Sequence, residues 1–389
     1  MVKHFNPREF YRRLKEPFII YEEETLLAQL DELRKAFSKT GRKVDIFYSY
    51  KTNPLLARIL YQNRVGMEVT CKEHLVETLS FCKGENIILT SPCLDDSLIL
   101  KCLDNNVHII GDSIEQIIRI DNLSKSKVEV GLRINTGILS SKNHLVASGS
   151  SFGLLGISES KLKDKLKDLK LKNVKIVGLH NHFASQNVDL TSWEKNAEKI
   201  LTMAEYFNDL QYVNLGGGFP VDYQDNSPKI EKIVSNLFGP LTKLPKDVKI
   251  VLEPGRFLAG PSGTLFAGVI AIKKDLVNTI FLDTSIFSTF PDRLLSNFTF
   301  NPPLELINKD EKESKNEYYI RGNSPSSVDF FGILKHAPQI SIGDIIAVKN
   351  IGAYGTVEAS SFCGSKKPKE FIVSKNSIKE VGSFPYEKN

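Results

Sequence analysis

The strongest constraint on the fold is an alternation that runs from about residue 18 to residue 260. Short β-branched runs take turns with longer stretches of helical periodicity. Phe18-Ile19-Ile20-Tyr21 reads as a strand, and after it Leu26, Leu27, Leu30, Leu33 and Phe37 recur at helical spacing through Glu23–Ser38. Strands are expected at 44–50, 66–70, 86–89, 107–110, 128–134, 174–179, 212–215 and 249–252, with helices at 55–63 and 72–83. Strands joined through helices run the same way, so this alternation demands a parallel sheet. About eight such units in roughly 240 residues is the usual size of a TIM-like (β/α)8 barrel. The fold class expected is therefore α/β.

After Gly260 the texture changes. Strand-like runs at 264–272, 279–283, 317–321, 344–350 and 370–373 are separated by Pro, Gly, Asn and Lys-Asp turns, without long helical periodicity. An all-β, Greek-key-like domain over 261–389 follows a barrel at 21–260. The charged run Lys309–Asn316 reads as a solvated hairpin tip. A chain of 389 residues has room for both domains and buries enough surface to need no disulfide or zinc.

Composition excludes other classes. Lys plus Arg number 51 against 46 Asp plus Glu, a net charge of only +5, too mild to argue for nucleic acid. Five cysteines, Cys71, Cys82, Cys93, Cys102 and Cys363, lack CxxC spacing and read as reduced thiols. Met1–Pro17 is charged throughout with no apolar core of a signal peptide, and no run reaches the ~20 apolar residues of a membrane span. A cytoplasmic location is expected.

Four segments fall where barrel strands should end, the face on which such barrels keep their chemistry. FYSYKTNP at 47–54 puts Lys51 beyond an apolar strand, where burial would favour Schiff-base chemistry; a lysine at the wet end of a strand is the plain alternative. GLHNHFASQ at 178–186 sets His180 and His182 two apart, read as core or cofactor-stacking histidines rather than as a metal pair. LGGGFP at 215–220 lets an anion approach backbone N–H groups, or is simply a loop. EPGRF at 253–257 sets a carboxylate beside a Gly-Arg pair, suited to a protonated ring nitrogen and a phosphate.

In their order, and with GLRIN at 131–135, SSFG at 150–153, GD at 343–344 and GAYGTVEASSFCG at 352–364, these segments resemble the fold-type III pyridoxal-phosphate decarboxylases. That is the family of ornithine, arginine and diaminopimelate decarboxylases. The resemblance implies pyridoxal 5'-phosphate as cofactor, no metal, and a catalytic set of Lys51, Glu253 and His182. Lys51 would hold the cofactor covalently, Glu253 would pair with its ring nitrogen, and His182 would stack on the ring with Arg133 nearby. Ser185, Gly216, Gly217, Gly218, Gly255, Arg256 and Tyr354 would bind the phosphate. It also implies a head-to-tail homodimer with shared active sites, residues 1–20 packed with the β domain, and an amino-acid-derived substrate; no nucleic acid or membrane partner is expected.

Departures from the pattern narrow the substrate. In Gly322–Asp329, Pro325 stands where the family keeps a proton-donating cysteine, and Ser326 replaces the acidic residue that would hold a distal ammonium. Glu68 and His74 occupy positions where an Asp and a Glu are common, and Ser151 replaces a frequent lysine. Phe290-Pro291-Asp292-Arg293 stands for an Arg-Pro substrate motif, leaving Arg293 as a carboxylate ligand or a surface arginine. Asp329 and Cys363 complete the candidate substrate residues. Without the acidic clamp, an N-acylated diamino acid such as citryl-ornithine, of polycarboxylate siderophore biosynthesis, fits better than a free basic amino acid. Diaminopimelate or ornithine is the alternative within the enzyme class. From another class comes a non-catalytic regulator of the antizyme-inhibitor type, and racemisation on the same barrel is the remaining reading.

Overall fold

The computed structural model describes residues 5–138, 154–223, 227–307, 314–375 and 377–382. Ser151, the 150–153 motif and residues 309–313 of the charged run lie outside the described residues. The chain forms two compact units. One comprises Leu30–Pro220 and Pro228–Gly255; the other comprises Met1–Gln29, Val221–Ser227 and Arg256–Lys388.

In chain order the strands begin with β1 (Phe18–Glu22), β2 (Val44–Ser49), β3 (Gly66–Val69), β4 (Ile87–Ser91), β5 (His108–Gly111) and β6 (Val128–Asn135). β7 (Ile157–Ser158), β8 (Val174–His180), β9 (Tyr212–Asn214) and β10 (Lys249–Leu252) follow. The remainder are β11 (Gly263–Lys274), β12 (Asn278–Leu282), β13 (Leu304–Leu306), β14 (Asn316–Arg321), β15 (Phe330–Ala337), β16 (Ile345–Lys349), β17 (Lys369–Ser374) and β18 (Ser377–Val381).

Among the described residues of the first unit, eight parallel strands close in the order β5-β4-β3-β2-β10-β9-β8-β6, with β6 pairing back to β5. Helices begin where polar side chains satisfy their first N–H groups: Asp95 accepts from Leu98 N at 2.7 Å and Ser113 from Gln116 N at 3.3 Å. Expected elements shift at their ends, the 72–83 helix for instance stopping at Leu79, and two of the shifts have a visible cause. The first barrel strand stops at Ser49, whose N–H turns to Pro254 O at 3.2 Å, and Tyr50–Thr52 forms a 3-10 turn. The expected 55–63 helix shrinks to Ala57–Gln62, because Pro54–Leu56 is a separate 3-10 turn and Asn53 Oδ1 accepts from Leu55 N.

In the second unit β1 pairs antiparallel with β11 and parallel with β17, so the run at 18–21 is no barrel strand. Its Phe18 and Ile20 pack with Phe5, Phe10, Phe266 and Phe371, which hold the strand in this sheet. The charged N-terminal stretch contains a helix, Pro7–Leu14, started by Asn6 Oδ1 accepting from Arg8 N at 3.0 Å. β13, only three residues long, and the mostly polar β18 were also illegible in the strand pattern, and the longer, largely apolar β15 was missed as well.

The barrel interior is packed around Tyr212, with Ile88, Ile110, Val177 and Val251 buried beside it and its hydroxyl 2.5 Å from His108 Nε2. The ring lies where side chains of Gly131 and Gly178 would be: a Cβ on Gly178 would come 1.9 Å from Tyr212 Cζ. Interiors at native density have no room for such a methyl. Gly178→Ala is expected to lower unfolding stability by about 1–3 kcal/mol, the range for overpacked cores, checked by urea denaturation.

Candidate active site

The carboxyl ends of the barrel strands gather most of the segments singled out in the sequence. β10 ends into Glu253, whose N–H donates to Gly216 O at 2.8 Å, while Leu215 N donates to Val251 O at 2.9 Å. These bonds seat the glycine loop against the strand that carries the carboxylate. Phe219, at the far end of that loop, stacks on the buried Trp193 ring at 5.3 Å and meets Phe37 edge-on. The turn after β8 is drawn to the same loop by Asn187 N donating to Gly218 O at 2.9 Å.

Glu253 is 5% exposed and accepts from Asn214 Nδ2 at 2.6 Å, with His180 Nε2 3.0 Å away. Burial works to raise its carboxyl, but His180, Asn214 and Lys51 outweigh that and hold it down at about 2. Lys51 Nζ donates to Glu68 Oε2 at 2.7 Å and to Ser49 Oγ at 2.7 Å. Arg133, on β6, is buried beside Asp112, with Nη1 3.5 Å from Oδ1. His182 lies beyond the strand, so it shares no strand face with His180 as the spacing had implied. Its Nδ1 accepts from Gly217 N at 3.1 Å. Burial, then the nearby Lys51 and Arg133 cations, hold its imidazole down at about 3.

The donor set suits a phosphate-bearing pyridine. Glu253 is an ionised carboxylate at a strand end, Lys51 supplies an amine, and Thr52 Oγ1 is buried with no hydrogen-bond partner among the described residues. Gly216 and Gly218 have φ of 65° and 93°, and a Cβ on Gly217 would meet Glu253 O at 2.4 Å. Only glycine lets this loop lie so close to the strand. Two loop amides are engaged within the chain, Gly217 N as described and Gly216 N with Asn214 Oδ1 at 2.9 Å. Ser185 sits partly buried in the turn after β8.

Several candidates are placed otherwise. Arg256 and Tyr354 belong to the strand-rich unit, where Arg256 is ion-paired with Asp292 and its guanidinium lies 4.8 Å from the Phe300 and Tyr354 ring centroids. Arg293 is neither a surface arginine nor open to a substrate: it is 2% exposed and donates to Phe330 O, Phe300 O and Asn301 Oδ1. Asp329 is likewise withdrawn, fully buried, accepting from Ser285 Oγ, Ile286 N and Ser324 N to brace its own loop. Ser326 spends its carbonyl on Arg321 Nη2, and Cys363 is exposed. Sequence reasoning missed Ser49, Asp112, His180, Asn214 and Asp292 as partners of charged residues. The first four had position at a strand end as their one available signal; Asp292, which opens a short helix, lacked even that.

Residues 24–260 match the family model described as "Pyridoxal-dependent decarboxylase, pyridoxal binding domain". The chain belongs to the pyridoxal-dependent decarboxylases. It is 25% identical to the diaminopimelate decarboxylase of Archaeoglobus fulgidus, over 94% of this chain and 90% of that one. The same enzyme of Methanocaldococcus jannaschii is also 25% identical, over 95% and 89%. The crystal structure of diaminopimelate decarboxylase from Helicobacter pylori complexed with L-lysine shares the fold, with TM-score 0.85 and 24% identity over 96% of this chain and 95% of that one.

This decarboxylase is thus a pyridoxal-phosphate-dependent carboxy-lyase acting on an amino acid. The bound cofactor supplies an electron-poor ring that takes up the electron pair left by the departing carboxylate. The residues that would serve it are Lys51 as the amine, Glu253 as the carboxylate for a protonated ring nitrogen, and the glycine loop for the phosphate. Among the described residues no helix is long and apolar enough to cross a membrane, and no cluster of three or more metal-ligating side chains occurs.

Burial holds His108 at about 4, and burial with the Lys51 cation does the same for His74. With His182 at about 3, all three are neutral in the folded barrel where the unfolded chain would take up protons. Stability is therefore expected to fall as pH drops from 6.5 to about 4, at most about 1.4 kcal/mol per pH unit for each histidine. His74→Asn should flatten the slope of urea stability against pH by about one proton.

Proposed function

We propose that this decarboxylase acts on a diaminopimelate-type substrate, a 2-amino acid whose far end carries its own amino and carboxylate groups. What carries the reading is the extent of the likeness to diaminopimelate decarboxylases, 94% of this chain and 90% of the Archaeoglobus fulgidus enzyme. In this proposal Lys51 binds the cofactor covalently, His182 covers the ring, and Arg133 lies close to it. Ser185, Gly216, Gly217, Gly218 and Gly255, all of the barrel unit, hold the phosphate. A homodimer with shared active sites and a cytoplasmic location belong to the same proposal.

A second reading keeps the cofactor chemistry and changes the far end of the substrate. Ser326 stands where an acidic residue would hold a distal ammonium, and a buried ammonium without a counter-charge is costly. An N-acylated diamino acid such as citryl-ornithine, as in polycarboxylate siderophore biosynthesis, has no such ammonium. The regulator reading finds no support, since Lys51 and Glu253 retain their barrel partners.

The deciding measurement is CO2 release by the purified holoenzyme from meso-diaminopimelate, N-citryl-ornithine, ornithine and lysine at equal concentration. A preference for diaminopimelate of tenfold or more is expected. A preference for citryl-ornithine selects the second reading, and equal or greater turnover of ornithine overturns both.

A further inference from the structure

A carbon that loses its carboxylate must receive a proton. The segment Gly322–Asp329 contains no thiol, and Asp329 is committed to bracing its own loop. Within the barrel, the residues around Lys51 form a different arrangement. Lys51 Nζ, Ser49 Oγ and Glu68 Oε2 make a closed triangle: Nζ donates to both oxygens at 2.7 Å, and Ser49 Oγ donates to the same Glu68 oxygen at 2.6 Å. The Glu68 side chain is 3% exposed and that of Lys51 is 40% exposed, so a buried carboxylate holds a lysine that keeps part of its side chain accessible.

We propose that Lys51, held by Ser49 and Glu68, is itself the acid that returns a proton to the α-carbon. The inference rests on the decarboxylase chemistry above and not on the choice of substrate. The other charged or titratable groups near Lys51 are Glu253, His74 and His182, with Arg133 beside them. Both histidines are neutral at pH 7, so neither is a cationic acid there. Glu68, 2.7 Å from Lys51 Nζ, is the carboxylate counter-charge of that amine. Ser49 and Glu68 are positioning residues; Lys51 moves the proton.

The proton count closes. The substrate's amino group enters as an ammonium and displaces Lys51, and its surplus proton leaves with Lys51 Nζ as an ammonium. The bond from the α-carbon to the carboxylate breaks, CO2 departs, and the electron pair remains behind. Lys51 gives its proton to that carbon, forming the C–H bond, and becomes the neutral amine needed to release the product. The product amine then takes one proton from water.

Two measurements test this. In the apoprotein, acetylation of Lys51 by acetic anhydride is followed against pH by mass spectrometry. Glu68→Gln is expected to lower the midpoint by about one pH unit or more, and Ser49→Ala by less; an unmoved midpoint in both overturns the proposal. In a single turnover stopped with acid, which frees any bound product, Lys51→Ala loaded with cofactor and substrate should release CO2 without forming the amine product until methylamine is added. Amine formed as fast as CO2 without methylamine, or amine formation lost in Cys363→Ser, overturns it. A wrong substrate choice shows separately, as missing CO2 with the labelling shift intact.

Discussion

Ser49 N donates to Pro254 O where β2 and β10 end side by side, and the chemistry of the barrel depends on that adjacency. One strand end leads into Lys51 and the other into Glu253. The parallel register of β9 with β10, continued by Leu215 N to Val251 O and Glu253 N to Gly216 O, sets the glycine loop beside them. Backbone pairing thus fixes the three groups that a pyridine with a phosphate requires. Side chains add orientation, not position.

The site concentrates charge where water is scarce, and each buried charge has a counterpart. Glu253 is matched to His180 and Asn214, Glu68 to Lys51, and Asp112 to Arg133. In the other unit Arg256 is matched to Asp292. Such pairs add little net stability, but removing one partner typically costs about 3–5 kcal/mol, because it leaves a lone buried charge. They are better understood as devices that hold an ionisation state. Glu253 stays a carboxylate despite its burial, and His182 stays neutral beside two cations.

The candidate substrate residues and the departures from the family pattern divide by what the structure does with them. Arg293 and Asp329, read in the sequence as substrate ligands, are consumed by backbone carbonyls and amides of their own surroundings. Glu68 is different, because it is ion-paired with Lys51. Pro325 leaves its segment without a thiol, and in the proposal above Lys51, bonded to Ser49 and Glu68, supplies the proton instead.

The sequence by itself pointed to the barrel, because apolar strand runs separated by helical periodicity demand a parallel sheet covered on both faces, and eight such units in about 240 residues is the barrel's usual size. It also determined the family, since ordered motifs at strand ends carry Lys51, His182, the glycine loop and Glu253. Only the tertiary structure decided which strand each run would pair with and which residue would meet which charge. The run at 18–21 has the same texture as a barrel strand, yet its phenylalanine neighbours lie in the other sheet. His180 and Glu253 are 73 residues apart, Ser49 and Glu68 are 19, and Arg256 and Asp292 are 36. Periodicity reports which face of an element is apolar. It carries no record of the partner across the space, which packing and hydrogen-bond geometry settle together.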